Sequence, residues 1–291
     1  MSAAIGEHPH SPATLAGAVA AGRMSGRLWL YANYHCNLAC TYCLTESAPG
    51  VPRRLLGGDR MRALADEAAT LGFTAIGVTG GEPLLLPDLP EVVADLAARL
   101  PVVVLSNATL FTPALVQRLR PWADLPVTVQ VSLDRPDPVD NDAMRGPHNF
   151  RKVVEGVPRL VDAGIHVRVA TTLELDEIGP EPTADQERLC VLHRALGVAD
   201  EDHVIRPIVR RGRAATQGLG VVAARDDLEP ELTVTADGAF WSPFAPTVTG
   251  GRLDIDLLVS RSTTPLELPV SRMLRFLEGR SPGHDTTLGI R

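Results

Sequence analysis

Short β-rich runs alternate with helical segments over most of this chain, and that alternation is the strongest constraint on its fold. The β-rich runs cover residues 28–34, 73–79, 102–106, 127–132, 166–172 and 203–209. The helical segments between them cover residues 59–71, 88–100, 112–120, 150–163 and 183–196. Strands that alternate with helices favour right-handed βαβ units and a parallel sheet. Six such units predict an α/β fold, a partial (β/α)6 TIM-like barrel that stays open on one side.

The pattern changes on either side of this region. Residues 216–291 offer strand-like runs at 231–236, 239–241 and 253–259, a turn at Asp237-Gly238, and a helix at 271–277. Residues 1–25 are rich in small residues and lack a strong period. The sequence therefore predicts a flexible leader over 1–25, a barrel over 26–215 and a small, mostly β appendage over 216–291.

The composition is that of an ordinary globular protein and argues against several partner classes. Hydrophobic residues make up 45% of the chain and charged residues 22%. No apolar run is long enough to span a bilayer, and the N-terminus lacks the basic start and apolar stretch of a signal peptide. The net charge of −7 argues against a broad nucleic-acid surface. We therefore expect a cytoplasmic protein with no membrane or nucleic-acid partner.

Three of the four cysteines fall within eight residues, directly after the first predicted strand. Cys36, Cys40 and Cys43 have the spacing C-x3-C-x2-C. Three thiolates are one short of the four that close a structural zinc site or a fully ligated cluster, so a metal centre here keeps an open position. Zinc with His35 as fourth ligand is an alternative, although neighbouring residues on an extended chain point to opposite faces. A disulfide with a spare thiol is another, but closely spaced reduced thiols more often bind metal.

Small polar residues stand where the next four strands end. In (β/α) barrels the reactive face lies at the C-terminal ends of the strands. Glycines at such a point let the backbone approach a ligand closely, although each residue taken singly also suits a turn. The residues at these strand ends are Gly80, Gly81, Glu82, Ser106, Asn107, Ser132, Asp134, Thr171 and Thr172.

Together these residues resemble the radical SAM superfamily. Cys36, Cys40, Tyr42 and Cys43 match its C-x3-C-x-φ-C hallmark with an aromatic φ. Gly80-Gly81-Glu82-Pro83 resembles its GGEP motif, and Ser132-Leu133-Asp134 with the later Asp142 to Gly146 stretch resembles the subgroup that carries SPASM or twitch extensions. The resemblance covers about residues 26–215.

The resemblance implies both the cofactors and the chemistry. Cys36, Cys40 and Cys43 would hold one [4Fe–4S] cluster whose fourth iron chelates the amino and carboxylate groups of S-adenosylmethionine (SAM). One electron, from a reductant such as flavodoxin or ferredoxin, would cleave SAM to a 5′-deoxyadenosyl radical that abstracts hydrogen from a peptide or small-molecule substrate. The residues that would contact SAM are Tyr42 near the adenine, Gly80, Gly81 and Glu82 at the amino group, Ser106 and Asn107 at the next motif position, Ser132 and Asp134 near the ribose, Arg145 near the carboxylate, and Thr172.

The C-terminal segment departs from that subgroup. Residues 232–244 resemble the opening of a SPASM extension, but Phe244 stands about where a cysteine is expected, and no cysteine follows Cys190. This chain therefore offers no ligands for auxiliary clusters, which favours a redox-neutral reaction such as epimerisation or rearrangement, or an oxidation with another electron acceptor. We expect the extension to act as a metal-free lid or wall over the open side of the barrel.

Two further hypotheses concern residues outside the motifs. Cys190 is a candidate hydrogen donor, although its place in a predicted helix favours a packing role. Arg206 and Arg211 lie at the end of the sixth strand and are candidate anchors for an anionic substrate group, because arginine binds carboxylate and phosphate bidentately. The rival to an enzyme is a non-catalytic protein, either a zinc-stabilised module or a degenerate barrel with an idle cluster.

Overall fold

The computed structural model describes residues 14–278, which form alternating strands and helices followed by a short β-rich extension. The strands are β1 Arg27–Tyr31, β2 Ala75–Thr79, β3 Val102–Ser106, β4 Val127–Ser132, β5 His166–Leu173, β6 His203–Pro207, β7 Thr233–Thr235, β8 Gly238–Phe240, β9 Val248–Thr249, β10 Arg252–Leu253 and β11 Leu258–Ser260. The helices are α1 Leu15–Ala20, α2 Gly58–Leu71, α3 Leu89–Ala97, α4 Pro113–Leu119, α5 Pro138–Arg145, α6 Asn149–Asp162, α7 Ala184–Ala195, α8 Arg213–Thr216 and α9 Glu267–Glu278.

Six parallel strands form the barrel part of the molecule. The main sheet has nine strands in the order β11-β8-β7-β1-β2-β3-β4-β5-β6, and β1 to β6 pair in parallel with their sequence neighbours. The sheet does not close, because β6 and β11 stand at its two ends. The prediction of a partial (β/α)6 barrel is confirmed.

The strand register arranges the barrel interior in layers. Trp29 lies opposite Gly77, and Tyr31 opposite Thr79, on the same faces of β1 and β2. A Cβ on Gly77 would stand 2.2 Å from the Trp29 ring, so only glycine leaves room for the indole. The fully buried Trp29 thus fills the layer beneath the strand ends. The C-terminal ends of the strands are left to line a cavity.

The C-terminal extension continues the barrel sheet. β7 pairs in parallel with β1, and β8 pairs antiparallel with β7 and with β11. Glu231, just before β7, accepts a hydrogen bond of 3.1 Å from the indole of Trp29. Phe240 and Trp241 belong to the same hydrophobic core as the barrel strands. The extension is therefore a wall that lengthens the sheet beyond β1.

Three expectations about local structure need correction. Within the expected leader, α1 is an ordered helix that buries Leu15 and Ala18, while residues 1–13 lie outside the described part of the chain. The strand expected at 253–259 is interrupted, because the chain turns between β10 and β11. Helix α5 was missed; Asp137 caps it and Pro138 occupies its first turn. None of the helices in residues 14–278 combines the length and apolar character needed to cross a membrane.

Candidate active site

The three cysteines lie in the loop that follows β1, and all three line one cavity at the C-terminal ends of the strands. The cavity holds about 870 Å³ of empty space, part of it open to solvent. Backbone contacts from distant parts of the chain fix the loop. Thr41 donates its N–H to the Met144 carbonyl at 2.8 Å, and Arg213 Nη1 donates to the Cys40 carbonyl at 2.6 Å.

The thiols sit in surroundings that favour a bound cation. Burial raises the pKa of Cys36 to about 12 and that of Cys40 to about 11, although backbone and arginine contacts partly oppose the shift. Cys36 Sγ accepts hydrogen bonds from Leu38 N at 3.3 Å and from Asn107 Nδ2 at 3.5 Å. Buried thiols lose their protons readily only to a metal, whose charge offsets the burial. All four cysteines are free, as a metal centre requires.

The zinc alternative finds no ligand set in the described residues. No three His, Cys, Asp or Glu side chains of residues 14–278 are placed to hold one metal ion. In an iron–sulfur cluster each thiolate binds a different iron, so its ligands stand further apart than those of a single ion. Three thiols spread around one cavity therefore suit a cluster better than a single zinc ion.

A buried ion pair forms one wall of the cavity. Asp134 is fully buried after β4, and Arg145, the last residue of α5, is 5% exposed. Arg145 Nη1 donates to Asp134 Oδ2 at 2.9 Å, and Tyr42 donates its hydroxyl to the same oxygen at 2.6 Å. The other carboxylate oxygen accepts the Thr172 N–H at 2.9 Å. The carboxylate of Asp134 thus stands behind the wall and holds Tyr42 and Arg145, which line the cavity.

Arg145 retains one unused donor. Its Nε atom is buried and has no hydrogen-bond partner. Leaving such a group unpaired costs about 1–3 kcal/mol, and more when it is charged. The orphaned donor of a cavity-lining guanidinium is therefore a natural partner for an acidic group of a ligand.

Glu82 is also buried behind the wall. Its Oε1 accepts from Leu84 N at 3.1 Å and from the Ser106 hydroxyl at 3.0 Å, while Oε2 accepts from Asn107 N at 2.7 Å. Burial raises the pKa of Glu82 to about 7, although these hydrogen bonds oppose the shift. Glu82 is fully buried, so its carboxylate joins β2 to the end of β3 instead of projecting into the cavity.

The two glycines before Glu82 serve the cysteine loop. Gly81 donates its N–H to the Asn33 carbonyl at 2.9 Å, and Glu82 donates to the His35 carbonyl at 3.1 Å. A Cβ on Gly81 would stand 2.2 Å from the His35 oxygen, and one on Gly80 would stand 2.5 Å from Asn33 Oδ1. Both glycines line the cavity, but the close approach that requires them is to the protein's own backbone.

The remaining predicted residues differ in whether they line the cavity. Of the predicted SAM contacts, those that line it are Tyr42, Gly80, Gly81, Ser106, Asn107, Ser132 and Arg145. Thr172 is buried beside them and accepts a hydrogen bond of 3.3 Å from Arg206 Nε. Arg206 itself lines the cavity.

Two of the predicted substrate residues lie elsewhere. Arg211 forms an ion pair with Asp256 and donates to the Thr247 hydroxyl at 3.2 Å, outside the residues that line the cavity. Cys190, on α7, contacts the ring of His203 through a distance of 3.4 Å from Sγ to Nδ1. His203 is the first residue of β6, so Cys190 lies at the opposite end of the strands from the cavity. The contact with His203 agrees with the packing role.

Sequence reasoning missed the segment after β6 that packs on the cysteine loop. Arg213 Nη2 also donates to the Ser47 carbonyl at 3.2 Å, and its N–H donates to the Cys43 carbonyl at 2.9 Å. Gly212 precedes it with φ +55°, and a Cβ there would stand 2.2 Å from the Leu44 oxygen. The run of arginines and the glycine were visible in the sequence, but their target in the loop was not.

A buried chain of asparagines was also missed. Asn141 Oδ1 accepts the Asp134 N–H at 3.1 Å, and Asn141 Nδ2 donates to Asn149 Oδ1 at 2.9 Å. Asn149 Nδ2 in turn donates to the Asn107 carbonyl at 3.1 Å. Asn107 contacts Cys36, so these amides connect the ion pair to the cysteine loop. Both Asn141 and Asn149 are fully buried.

The fold and the site together define a class: an open α/β barrel that carries a three-cysteine metal loop at its reactive end. Comparison with known proteins gives the family. Residues 31–177 match the model of the radical SAM superfamily. The chain belongs to this superfamily, as the motifs indicated.

Individual relatives differ in their reactions. The chain is 32% identical over 193 residues to an AdoMet-dependent heme synthase of Nitratidesulfovibrio vulgaris, covering 66% of this chain and 50% of that protein. It is 33% identical over 146 residues to a GTP 3′,8-cyclase of Pectobacterium atrosepticum, covering 48% of this chain and 44% of that protein. The chain thus spans about half the length of these relatives.

A solved structure shares the fold over most of the chain. The structure of native anSMEcpe with bound AdoMet and Cp18Cys peptide has a TM-score of 0.61 and 11% identity, and covers 86% of this chain and 81% of that one. At this identity the likeness shows the fold alone. It includes part of the extension, because the barrel region expected at 26–215 is a smaller share of the chain than the matched 86%.

The cofactors of this superfamily are a [4Fe–4S] cluster and SAM. The residues present fit both groups. Three free thiols line the cavity and leave one iron of a cluster without a protein ligand. The unpartnered Nε of Arg145 and the polar strand ends suit the charged and hydroxyl groups of SAM.

Proposed function

We propose that this protein is a radical SAM enzyme that acts on a peptide or a small-molecule substrate. Cys36, Cys40 and Cys43 would hold a cluster that, when bound and reduced, would supply the electron for reductive cleavage of SAM and hence for hydrogen abstraction from the substrate. The observation that carries the proposal is the convergence of Cys36, Cys40, Cys43 and Arg145 on one cavity. The relatives support both substrate classes, since they include a GTP cyclase and a structure with bound peptide.

In this proposal the protein's own residues bind the cluster and SAM, orient SAM, and shield the reactive intermediate from water. Cys36, Cys40 and Cys43 hold the cluster, and Arg145 binds the SAM carboxylate through its unused Nε donor. The hydroxyls and amides of Ser106, Asn107 and Ser132 orient the rest of SAM. The backbone at Gly80 and Gly81 binds the amino group, with Glu82 stiffening the turn from behind.

The extension completes the cavity wall. Phe244 and Pro243 line the cavity, and Phe244 is 6% exposed. Phe244 stands where the SPASM resemblance expects a cysteine, so this wall is apolar and offers no thiolate. An apolar wall keeps water away from a reactive intermediate. We propose that the net reaction is redox-neutral, that a flavodoxin or ferredoxin donates the electron, and that the protein works in the reducing cytoplasm.

Anaerobic reconstitution tests the proposal. We expect iron and sulfide in the amounts of one [4Fe–4S] cluster per chain, and 5′-deoxyadenosine after addition of dithionite and SAM. Zinc without sulfide would instead support the binding module. A full cluster that never cleaves SAM would support the degenerate barrel.

A further inference from the structure

The charged side chains that line the cavity are all arginines. Arg145 and Arg206 line it, and among the described residues no carboxylate does. The charge of Arg145 is balanced by a neighbouring carboxylate, that of Asp134, 2.9 Å away, and the remaining cation of the cavity is Arg206.

Arg206 forms no ion pair within residues 14–278, and the Asp134 carboxylate acts on it only at longer range. Arg206 lies near the C-terminal end of β6, opposite Thr172 of β5, and its one side-chain hydrogen bond there runs from Nε to the Thr172 hydroxyl at 3.3 Å. The bond fixes the direction of the guanidinium and leaves its terminal nitrogens unused. Burial lowers the pKa of Arg206 and so does the charge of Arg145, whereas Tyr42 and Asp134 raise it. Arg206 is half-buried, and its unbonded terminal nitrogens are available to a ligand in the cavity.

Each of the two arginines in the cavity can bind one oxyanion. SAM carries a single carboxylate, and the orphaned Nε of Arg145 suits it. The guanidinium of Arg206 is then available for a second anionic group. The same cavity is also lined by the apolar side chains of Leu44, Leu105 and Phe244.

We propose that Arg206 binds an oxyanion of the substrate, a carboxylate or a phosphate, and so selects anionic substrates for this site. The inference rests on the proposed function and narrows its substrate class. Arginine suits this role because its planar fork pairs with two oxygens of one oxyanion. The apolar side chains of Leu44, Leu105 and Phe244, which line the same cavity, would contact the uncharged part of the same molecule.

Binding measurements on the reconstituted protein with SAM bound test this proposal. Succinate and inorganic phosphate serve as probes, followed by titration calorimetry. We expect wild-type protein to bind at least one probe, and the better one identifies the preferred oxyanion. Arg206→Gln should weaken that binding by at least about tenfold, and Arg206→Lys by less. Arg211→Gln, which alters an arginine outside the cavity, should leave it within about twofold.

SAM affinity, measured by equilibrium dialysis, separates the two possible anions. If Arg206→Gln lowers SAM affinity as much as probe affinity, Arg206 binds the SAM carboxylate and the proposal is wrong. It is also wrong if neither probe binds to the wild-type protein, or if Arg206→Gln and Arg206→Lys bind the probe as wild type does. Formation of 5′-deoxyadenosine by the wild type is measured separately, so failure of the proposed function is distinguishable from failure of this assignment.

Discussion

Asp134 organises the cavity wall with a single buried carboxylate. It accepts from Tyr42, Arg145 and the Thr172 backbone, and so ties the cysteine loop, α5 and β5 to one point. Removing one partner of a buried ion pair is far more damaging than removing an exposed pair, because the remaining charge is left without water or counter-charge. We propose that the residue acts on SAM through Arg145 and Tyr42, since both of its own oxygens already accept hydrogen bonds.

Asp134→Asn keeps the size of the side chain and removes its charge. We expect the free energy of unfolding to fall by about 3–5 kcal/mol and SAM affinity to fall by about tenfold or more. Denaturant titration and equilibrium dialysis measure the two effects. Asp185→Asn, which breaks the exposed pair with Arg188, is the control and should cost at most about 1 kcal/mol. An Asp134→Asn protein with its cluster intact and normal SAM affinity would contradict the site as described.

The position of each cysteine predicts whether its replacement removes the cluster. Replacing Cys36, Cys40 or Cys43 with Ala should abolish the cluster, because each thiolate holds a different iron and no other described thiol lines the cavity. Cys190→Ala should retain it, since Cys190 contacts His203 at the other end of the strands. Iron and sulfide analysis after anaerobic reconstitution checks all four variants. A cluster lost from Cys190→Ala but kept in one of the others would overturn the assignment.

At the scale of elements, the segment after β6 supports the cysteine loop. Gly212 and Arg213 contact the loop backbone at Leu44, Cys40, Cys43 and Ser47. The open side of the barrel is therefore bridged by a contact between the two ends of the parallel strand set. We expect this contact to determine how firmly the loop holds a cluster.

Gly212→Ala tests this contact against a matched glycine. Gly212 and Gly218 both have a positive φ, +55° and +71°, but a Cβ on Gly218 would meet nothing within 4 Å. Both alanine variants carry a conformational cost for a positive φ, of about 1–3 kcal/mol, and the cost is greater at Gly212, whose ψ of −128° lies outside the left-handed helical region. Gly212→Ala adds a collision with the Leu44 carbonyl, worth about 1–3 kcal/mol more. We expect a chelator to remove iron faster from Gly212→Ala than from wild type, and at the wild-type rate from Gly218→Ala.

The junction between the barrel and the extension is sensitive to pH. Glu231 is 1% exposed, and burial raises its pKa to about 7, although Arg27 and the Trp29 indole lower it. A carboxyl whose folded pKa lies above its unfolded value binds more protons in the native state, so its contribution to stability falls as pH rises. That contribution is complete below about pH 4.5 and is lost as pH rises through about 7.

Glu231→Gln should flatten this pH dependence. Glutamine keeps an acceptor for the Trp29 indole but does not titrate. The wild type should lose about 3 kcal/mol more than the variant between pH 4.5 and pH 8. Denaturant titrations over this range measure the difference, with Glu187→Gln, an exposed glutamate on α7, as the control. Parallel pH profiles for wild type and Glu231→Gln would show that the carboxyl titrates normally.

At the scale of the whole molecule, one sheet and one core join the barrel to its extension. β7 continues the sheet from β1, and Trp241 of the extension packs in the same core as Trp122 of the barrel. Elements that share a core usually unfold together. The segment expected as a separate appendage therefore contributes to the stability of the barrel as well as to the wall of the cavity.

Variants with a single tryptophan test whether the barrel and the extension unfold together. The chain has three tryptophans, so Trp29→Phe with Trp241→Phe leaves Trp122 as the probe, and Trp29→Phe with Trp122→Phe leaves Trp241. Within each variant, we expect the fluorescence midpoint in denaturant to coincide with the far-UV circular dichroism midpoint. A fluorescence midpoint of Trp241 well below the circular dichroism midpoint would show an extension that unfolds independently.

The sequence alone determined the barrel strands and the cysteine motif, because both depend on local pattern. Buried strands with flanking caps and glycines fixed β3 and β4 to the residue, and the spacing of Cys36, Cys40 and Cys43 gave the metal loop. The family followed from the same residues. These features depend on neighbours along the chain, which a sequence displays directly.

Tertiary structure decided which of the polar residues reach the cavity. Glu82 and Asp134 lie behind its wall, Arg206 lines it, and Arg211 and Cys190 are turned to other partners. It also decided that β7 extends the sheet from β1 and that Gly212 touches the cysteine loop. These contacts join residues far apart in the chain, and burial and close approach are properties of the packed molecule, so no local pattern specifies them.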